Sequence, residues 1–146
     1  MSFKIIEYKD SHKNGILSVW EKSVKATHHF LLESDFEEYK KILQNFDFKD
    51  LDVFCLEEKG EIIGFIGIHS EKIEMLFLNP DYIGKGLGKQ LTDFAFSNFD
   101  IQYVDVNKQN PKATKFYKKI GFETFDRKEK DDMGKPYPIL KMKLKK

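Results

Sequence analysis

Gly84-Lys85-Gly86-Leu87-Gly88-Lys89 sets three glycines at alternate positions at the head of a stretch where Leu87, Leu91, Phe94 and Ala95 recur at helical spacing. Glycines so spaced let the backbone approach a ligand closely and turn several N–H groups in one direction. The helix that follows aims its N-terminal dipole at the same spot, and Lys85 and Lys89 add full positive charges. Together these features describe a phosphate site. Two phosphate loops fail on register. Counted from Gly84, the last glycine of a dinucleotide fingerprint is replaced by Lys89, and counted from Gly86 by Leu91. A Walker A loop would need Ser or Thr where Gln90 stands and glycine where Ile83 stands. A tight strand-to-helix turn accounts for one glycine or two, and three with flanking lysines exceed what a turn requires.

Upstream of the loop, Asp52–Glu57 and Glu61–Ser70 read as strands joined by the hairpin turn Glu58-Lys59-Gly60. Lys72–Leu78 is a third strand, stopped by Asn79-Pro80-Asp81. Phe3–Tyr8 is a first strand, and Asp10-Ser11 offers a cap for a helix carrying Ile16, Leu17, Trp20 and Val24 on one face. Ser34 with Glu37 reads as a capping box opening a helix with Phe36, Tyr39, Leu43 and Phe46 on one side. Downstream, Ile101–Val106 is a strand, and Asn110-Pro111 starts a helix with Ala113, Phe116, Tyr117 and Ile120 on one face and Gly121 at its end. Glu123–Arg127 and Tyr137–Leu144 close the chain as strands. The order β-α-α-β-β-β-α-β-α-β-β, with a strand, glycine loop, helix and strand in succession, implies an α/β (α+β) fold with a parallel crossover inside a mixed sheet.

Composition narrows the function. Of 146 residues, 40% are hydrophobic and 14% aromatic, enough for a packed core in a single domain over residues 1–146. Lysine and arginine number 25 against 24 acidic residues, so no net field drives the chain onto nucleic acid or an anionic membrane. The single Cys55, in the apolar run Val53-Phe54-Cys55-Leu56, excludes a disulfide scaffold and a cysteine-rich zinc site. Met1-Ser2-Phe3-Lys4 carries no apolar leader, and no stretch is long enough to span a bilayer, so the expectation is a soluble, cytoplasmic protein.

The glycine loop, preceded by Met75-Leu76-Phe77-Leu78-Asn79-Pro80, resembles the pyrophosphate loop of the GNAT superfamily of acyl-CoA-dependent N-acetyltransferases, whose motif is Arg/Gln-x-x-Gly-x-Gly/Ala. Downstream, Asn110-Pro111-Lys112-Ala113 through Phe116-Tyr117 to Gly121-Phe122 is similar to the family's Asn-x-x-Ala-x-x-Phe-Tyr-x-x-x-Gly-Phe signature. Val24–Leu31 and Asp131–Pro138 further resemble a subgroup of small bacterial members. Ile83 departs from the motif where the family has Arg or Gln, a position that contributes mainly through its backbone. The resemblance implies a mixed central sheet of about seven strands flanked by about four helices. It implies acetyl-CoA as co-substrate, with pantetheine against the backbone of Leu76, Phe77 and Leu78. Pyrophosphate would lie over Ile83, Gly84, Lys85, Gly86, Leu87, Gly88 and Lys89, and the thioester arm beside Asn110, Phe116 and Tyr117.

Transfer to an amine needs a neutral nucleophile, donors for the developing oxyanion and a proton for the departing thiolate. Tyr117, protonated at neutral pH because its usual pKa is near ~10 against ~8.5 for a thiol, suits the last role, unless it is a core tyrosine. A backbone N–H near Leu78 suits the oxyanion. Glu74 is a candidate base, placed by strand alternation on the face of Leu76 and Leu78, or else a solvent-facing residue. His28 and His29 lie in the inter-helix segment that walls the acceptor site in this fold, and their ordinary pKa suits base chemistry near neutrality; of the two His28 is favoured as an acceptor-site residue, or else it makes a structural hydrogen bond. Tyr137, between Pro136 and Pro138, either faces the acceptor or packs at a sheet edge. No metal ligand set is spaced for binding. The expected activity is direct acetyl transfer to a primary amine of a small molecule or protein, by a monomer or homodimer. The alternative is a catalytically silent acyl-CoA-binding module on the same fold.

Overall fold

The computed structural model describes residues 3–145. Seven strands form one mixed sheet: β1 (Phe3–Glu7), β2 (Asp52–Glu58), β3 (Glu61–His69), β4 (Lys72–Leu78), β5 (Tyr103–Asn107), β6 (Phe122–Lys128) and β7 (Ile139–Leu144), in the order β1-β2-β3-β4-β5-β7-β6. Four helices accompany them: α1 (Lys13–Thr27), α2 (Glu33–Gln44), α3 (Leu87–Asn98) and α4 (Pro111–Lys119). Every strand pair is antiparallel except β4 with β5, which the glycine loop and α3 connect. This is the mixed α/β architecture that the sequence implies.

Local chemistry explains most boundaries. Lys59 and Gly60 both have positive φ, +51° and +81°, as a two-residue hairpin turn between β2 and β3 requires. Asn110 Oδ1 accepts the Ala113 N–H at 3.3 Å, capping α4, and Gly121 ends that helix at φ +114°. Two expected caps do not form. Asp10, Ser11 and His12 make a 3-10 turn ahead of α1, in which the Lys9 N–H donates to His12 Nδ1 at 3.0 Å. The helix after Ser34 starts earlier, at Glu33, so Ser34 falls inside its first turn and no side chain caps it.

The sheet separates two apolar clusters. On one face Ile16, Val19, Trp20 and Val24 of α1 and Phe36 of α2 pack on Val53, Cys55 and Phe65, with Trp20 stacked on Phe36 at 5.3 Å between ring centroids. On the other face Leu87, Leu91 and Ala95 of α3 and Tyr117 of α4 pack on Ile66, Ile68, Val104 and Met142.

One departure from regular pairing positions the site. β4 and β5 pair only at Lys72–Tyr103 and Ile73–Val104, and beyond that point the strands have no ladder between them. The register of β4 against β3 also shifts, with Ile68 opposite Ile73 but Gly67 opposite Met75. Glu74 is therefore the extra residue of a β-bulge. Ile73, and not Glu74, joins Leu76 and Leu78 in the cluster on the α3 face, whereas Met75 and Phe77 pack on the α1 face.

Candidate active site

The gap between β4 and β5 opens into a cleft of about 470 Å³. Leu76, Phe77 and Leu78 form one wall, with Val104, Val106 and Asn107 of β5 opposite. Ile83, Gly84, Gly86, Leu87, Gly88 and Lys89 line one end, and Asn110, Phe116 and Tyr117 also line it. Because β5 has left the ladder, the backbone edge of β4 over Leu76–Leu78 has no strand partner on the cleft side.

The glycine loop works as its sequence suggests. Gly84 and Gly86 adopt φ +90° and +75°, the left-handed region that glycine enters without steric cost. Gly86 is the N-cap of α3, and no side chain caps that helix. The first N–H groups of α3 thus have no intrahelical acceptor and lie at the cleft, where the dipole is positive. Lys89 Nζ lies 2.9 Å from Asp93 Oδ2, and Lys85 is exposed with its side chain outside the cleft wall.

A second cavity, about 370 Å³, lies on the α1 face of the sheet. Trp20, Val24, Phe30, Leu31, Leu43 and Ile139 give it aliphatic and aromatic walls, and Glu74, Asp105, Asp131 and Asp132 give it carboxylates. No lysine or arginine among the described residues lines it. The loop between β6 and β7 is fastened to α2 beside it. Tyr137, buried to 5% exposure, donates its O–H to Asp35 and accepts the Leu32 N–H at 3.1 Å. Tyr39 donates to Asp131, and Lys135 Nζ lies 3.0 Å from Asp35 Oδ1 and 2.7 Å from Glu38 Oε2. The two cavities share His28, Glu74, Met75, Phe77, Asp105 and Asn107, so they meet through the gap in the sheet.

Two side chains at this place carry unspent chemistry. Tyr117 is 7% exposed, stands edge-on to Phe116 and Phe122, and lines the donor cleft. Burial pushes its phenol well above the usual tyrosine value, so it stays protonated. His28 is the C-cap of α1, with Nδ1 2.7 Å from Thr27 Oγ1. Burial holds its imidazole below the ordinary histidine value, and His29 pushes the same way. The Cys55 thiol is wholly buried in the opposite direction of reactivity: burial, reinforced by Glu57, pushes it up to about 12.

Residues 14–145 match the acetyltransferase (GNAT) domain family. The chain belongs to the GNAT family of acetyltransferases. It is 35% identical to the peptidyl-lysine N-acetyltransferase YjaB of Salmonella typhimurium over 136 residues, covering 92% of this chain and 94% of that protein. Against the YjaB of Escherichia coli the identity is 34%, covering 92% of each. The solution structure of apo YjaB from Escherichia coli superposes with a TM-score of 0.90 at 32% identity, covering 99% of this chain and 98% of that one. The PaiA N-acetyltransferase of Thermoplasma acidophilum, solved in complex with coenzyme A, shares the fold with a TM-score of 0.74 at 24% identity, covering 98% of this chain and 99% of that one. The protein is therefore an acyl-CoA-dependent N-acetyltransferase that acts on amines.

In this acetyltransferase the residues expected at the donor loop line one cleft, Lys85 excepted. Two expectations change. Glu74 lies in the bulge, so its carboxylate leaves the face of Leu76 and Leu78. It stands 3.8 Å from Lys72 Nζ, which pairs with Asp105 at 2.8 Å. His29 is exposed and lines neither cavity, because adjacent side chains diverge and His28 takes the inward position. Tyr137 lines the second cavity, but its hydroxyl is committed to Asp35 and Leu32. Sequence reasoning missed Asp35, Tyr39, Asp105, Asp131, Thr27 and Ser23. Only the last two, four residues apart on α1, leave a local trace.

Proposed function

We propose that the acetyltransferase passes an acetyl group directly from acetyl-CoA to the ε-amine of a lysine side chain on a protein. The observation that carries this reading is the junction of the two cavities. One opens on the α3 face beside an uncapped helix N-terminus, the other on the α1 face, and they join only where the sheet splits. Donor and acceptor can each enter from their own side and meet.

The residues present fit an acyl-CoA. The free amides at the start of α3 and the left-handed Gly84 and Gly86 suit a pyrophosphate. The unpaired edge of Leu76–Leu78 suits the amides of a pantetheine arm, and Asn110 and Phe116 border the same cleft. Bound there, acetyl-CoA supplies an activated acyl group as a thioester. Backbone N–H groups on the Leu78 side of the gap would steady the oxyanion. Tyr117 would hold its O–H toward the departing sulfur. Since its raised pKa makes it a weaker acid than a thiol, it stabilises the thiolate as a hydrogen-bond donor rather than by giving up its proton outright.

For the acceptor, four carboxylates and no lysine or arginine among the described residues along the second cavity favour a group that arrives as a cation, and the aliphatic walls suit a methylene chain. A lysine side chain has both properties, and the YjaB relatives bear the name peptidyl-lysine N-acetyltransferase. Direct transfer fits the inert Cys55, which offers no thiolate for an acyl-enzyme. The reading is tested by following coenzyme A release with a lysine-containing peptide blocked at its N-terminus, beside spermidine, free lysine and a peptide whose only amine is its N-terminus. Preferential turnover of the blocked lysine peptide is expected. Turnover confined to one of the others would refute the choice of acceptor.

A further inference from the structure

We propose that His28 is the general base of the transfer, set in one tautomer by Thr27 so that its Nε2 lone pair takes the proton of the attacking amine; this rests on the acetyltransfer reading above. Thr27 Oγ1 lies 2.8 Å from the Ser23 carbonyl oxygen, four residues earlier on α1, and donates to it. A threonine hydroxyl has one proton, and that bond uses it. In the 2.7 Å contact between Thr27 Oγ1 and His28 Nδ1, the hydrogen must therefore come from the imidazole. His28 is thus held with Nδ1 protonated, and in the neutral ring Nε2 carries the lone pair. No described residue hydrogen-bonds Nε2, whereas the Ser23 carbonyl oxygen, Thr27 Oγ1 and His28 Nδ1 are bonded in sequence.

His28 lines both cavities, at the place where donor and acceptor meet. The bound ammonium first gives one proton to solvent; as the neutral amine nitrogen then bonds to the acetyl carbon it gains positive charge, and a second proton passes from it to Nε2. The C–S bond breaks with its electron pair on sulfur, toward which Tyr117 donates. The imidazolium then returns its proton to solvent. The low histidine pKa leaves the ring neutral and ready at pH 7. Other charged or titratable groups line the acceptor cavity. They are Glu74 on β4 and Asp105 on β5, both beside Lys72, with Tyr39 on α2 and Asp131, Asp132 and Tyr137 on the β6–β7 loop. Tyr39, Asp131 and Tyr137 are committed to hydrogen bonds of their own. Glu74 is the rival base, and its carboxylate lies 3.8 Å from Lys72 Nζ, off the face of Leu76 and Leu78.

Histidine side-chain nitrogen NMR on the wild-type protein without substrate reads the tautomer directly. The proposal predicts a proton on Nδ1, none on Nε2, and a midpoint below the ordinary histidine value. A proton on Nε2 at neutral pH would overturn it. In parallel, turnover of the blocked lysine peptide is compared for wild type, His28→Gln, Glu74→Gln, Thr27→Val and Thr27→Ser. Loss of a general base costs about 100-fold or more in kcat and removes the acid limb of the pH profile, and His28→Gln should show both while acetyl-CoA still binds. Thr27→Val should weaken the tautomer preference and lower kcat about tenfold, with Thr27→Ser restoring both. If His28→Gln keeps its rate and Glu74→Gln loses it, Glu74 is the base and the proposal is wrong. If the wild type acetylates spermidine or free lysine but not the peptide, the lysine reading falls by itself, and the same variants are compared on the accepted amine.

Discussion

Replacing Tyr117 by phenylalanine isolates one hydrogen bond. The ring is buried to 7% exposure and keeps its edge-on contacts with Phe116 and Phe122 in either residue. The side chain lines the donor cleft and the substitution leaves its packing in place, so stability should change by less than about 0.5 kcal/mol. What it removes is the donor to the departing sulfur. A hydrogen bond to a charged acceptor is worth roughly 1.5–3 kcal/mol. At about 1.36 kcal/mol per tenfold, kcat should fall roughly 10- to 150-fold. The acetyl-CoA dissociation constant should stay within about threefold, because the thioester ground state carries little charge on sulfur. Coenzyme A release at saturating acceptor gives kcat, calorimetry gives the affinity, and a melting curve verifies the fold. A variant that melts normally, binds acetyl-CoA normally and turns over at the wild-type rate would refute the role given to Tyr117.

Gly86→Ala should cost about 1–2 kcal/mol, lowering the melting temperature by about 2–8 °C, because φ +75° strains any side chain even though an added Cβ meets nothing within 4 Å. Acetyl-CoA affinity should drop with it, and Gly86→Asn, which tolerates the left-handed region better, should lose less of both. Tyr137→Phe removes the donor to Asp35 and the acceptor for the Leu32 N–H. It should cost about 1 kcal/mol in melting experiments and raise the acceptor KM while leaving acetyl-CoA binding unchanged. Because the folded protein holds His28 below the ordinary value of 6.5, the unfolded chain takes up that proton first. Stability is then full above about pH 6.5 and falls as pH descends through the native value. Melting temperatures measured from pH 7.5 to 5 should show a shallower decline in His28→Gln than in wild type.

The parts of this enzyme governed by local rules were legible. The left-handed glycines, the Asn110 cap, the Gly121 stop and the Lys59-Gly60 hairpin each act through the backbone of a few consecutive residues. Strand lengths and alternation were enough to order the elements and to place the crossover at the glycine loop. Where reading failed, something distant or inserted intervened. Strict alternation put Glu74 with Leu76, but one extra residue in β4 reverses its side. The capping box at Ser34 gave way to a helix starting at Glu33, whose preceding amide on Leu32 is bonded by Tyr137, 105 residues away. The fastening of the β6–β7 loop to α2 spans 92 residues between Tyr39 and Asp131 and has no local pattern to betray it. Of the neighbours His28 and His29, the sequence favoured His28 as the acceptor-site residue, but only the turn of the chain at the end of α1 decides which one faces inward.

Initial velocities with acetyl-CoA and the lysine peptide varied together test direct transfer across the split sheet most plainly. The structure predicts double-reciprocal lines that intersect, with no acetyl group retained on the protein by mass spectrometry after acetyl-CoA alone. Parallel lines, with an acetylated enzyme that passes its label to the peptide, would contradict it.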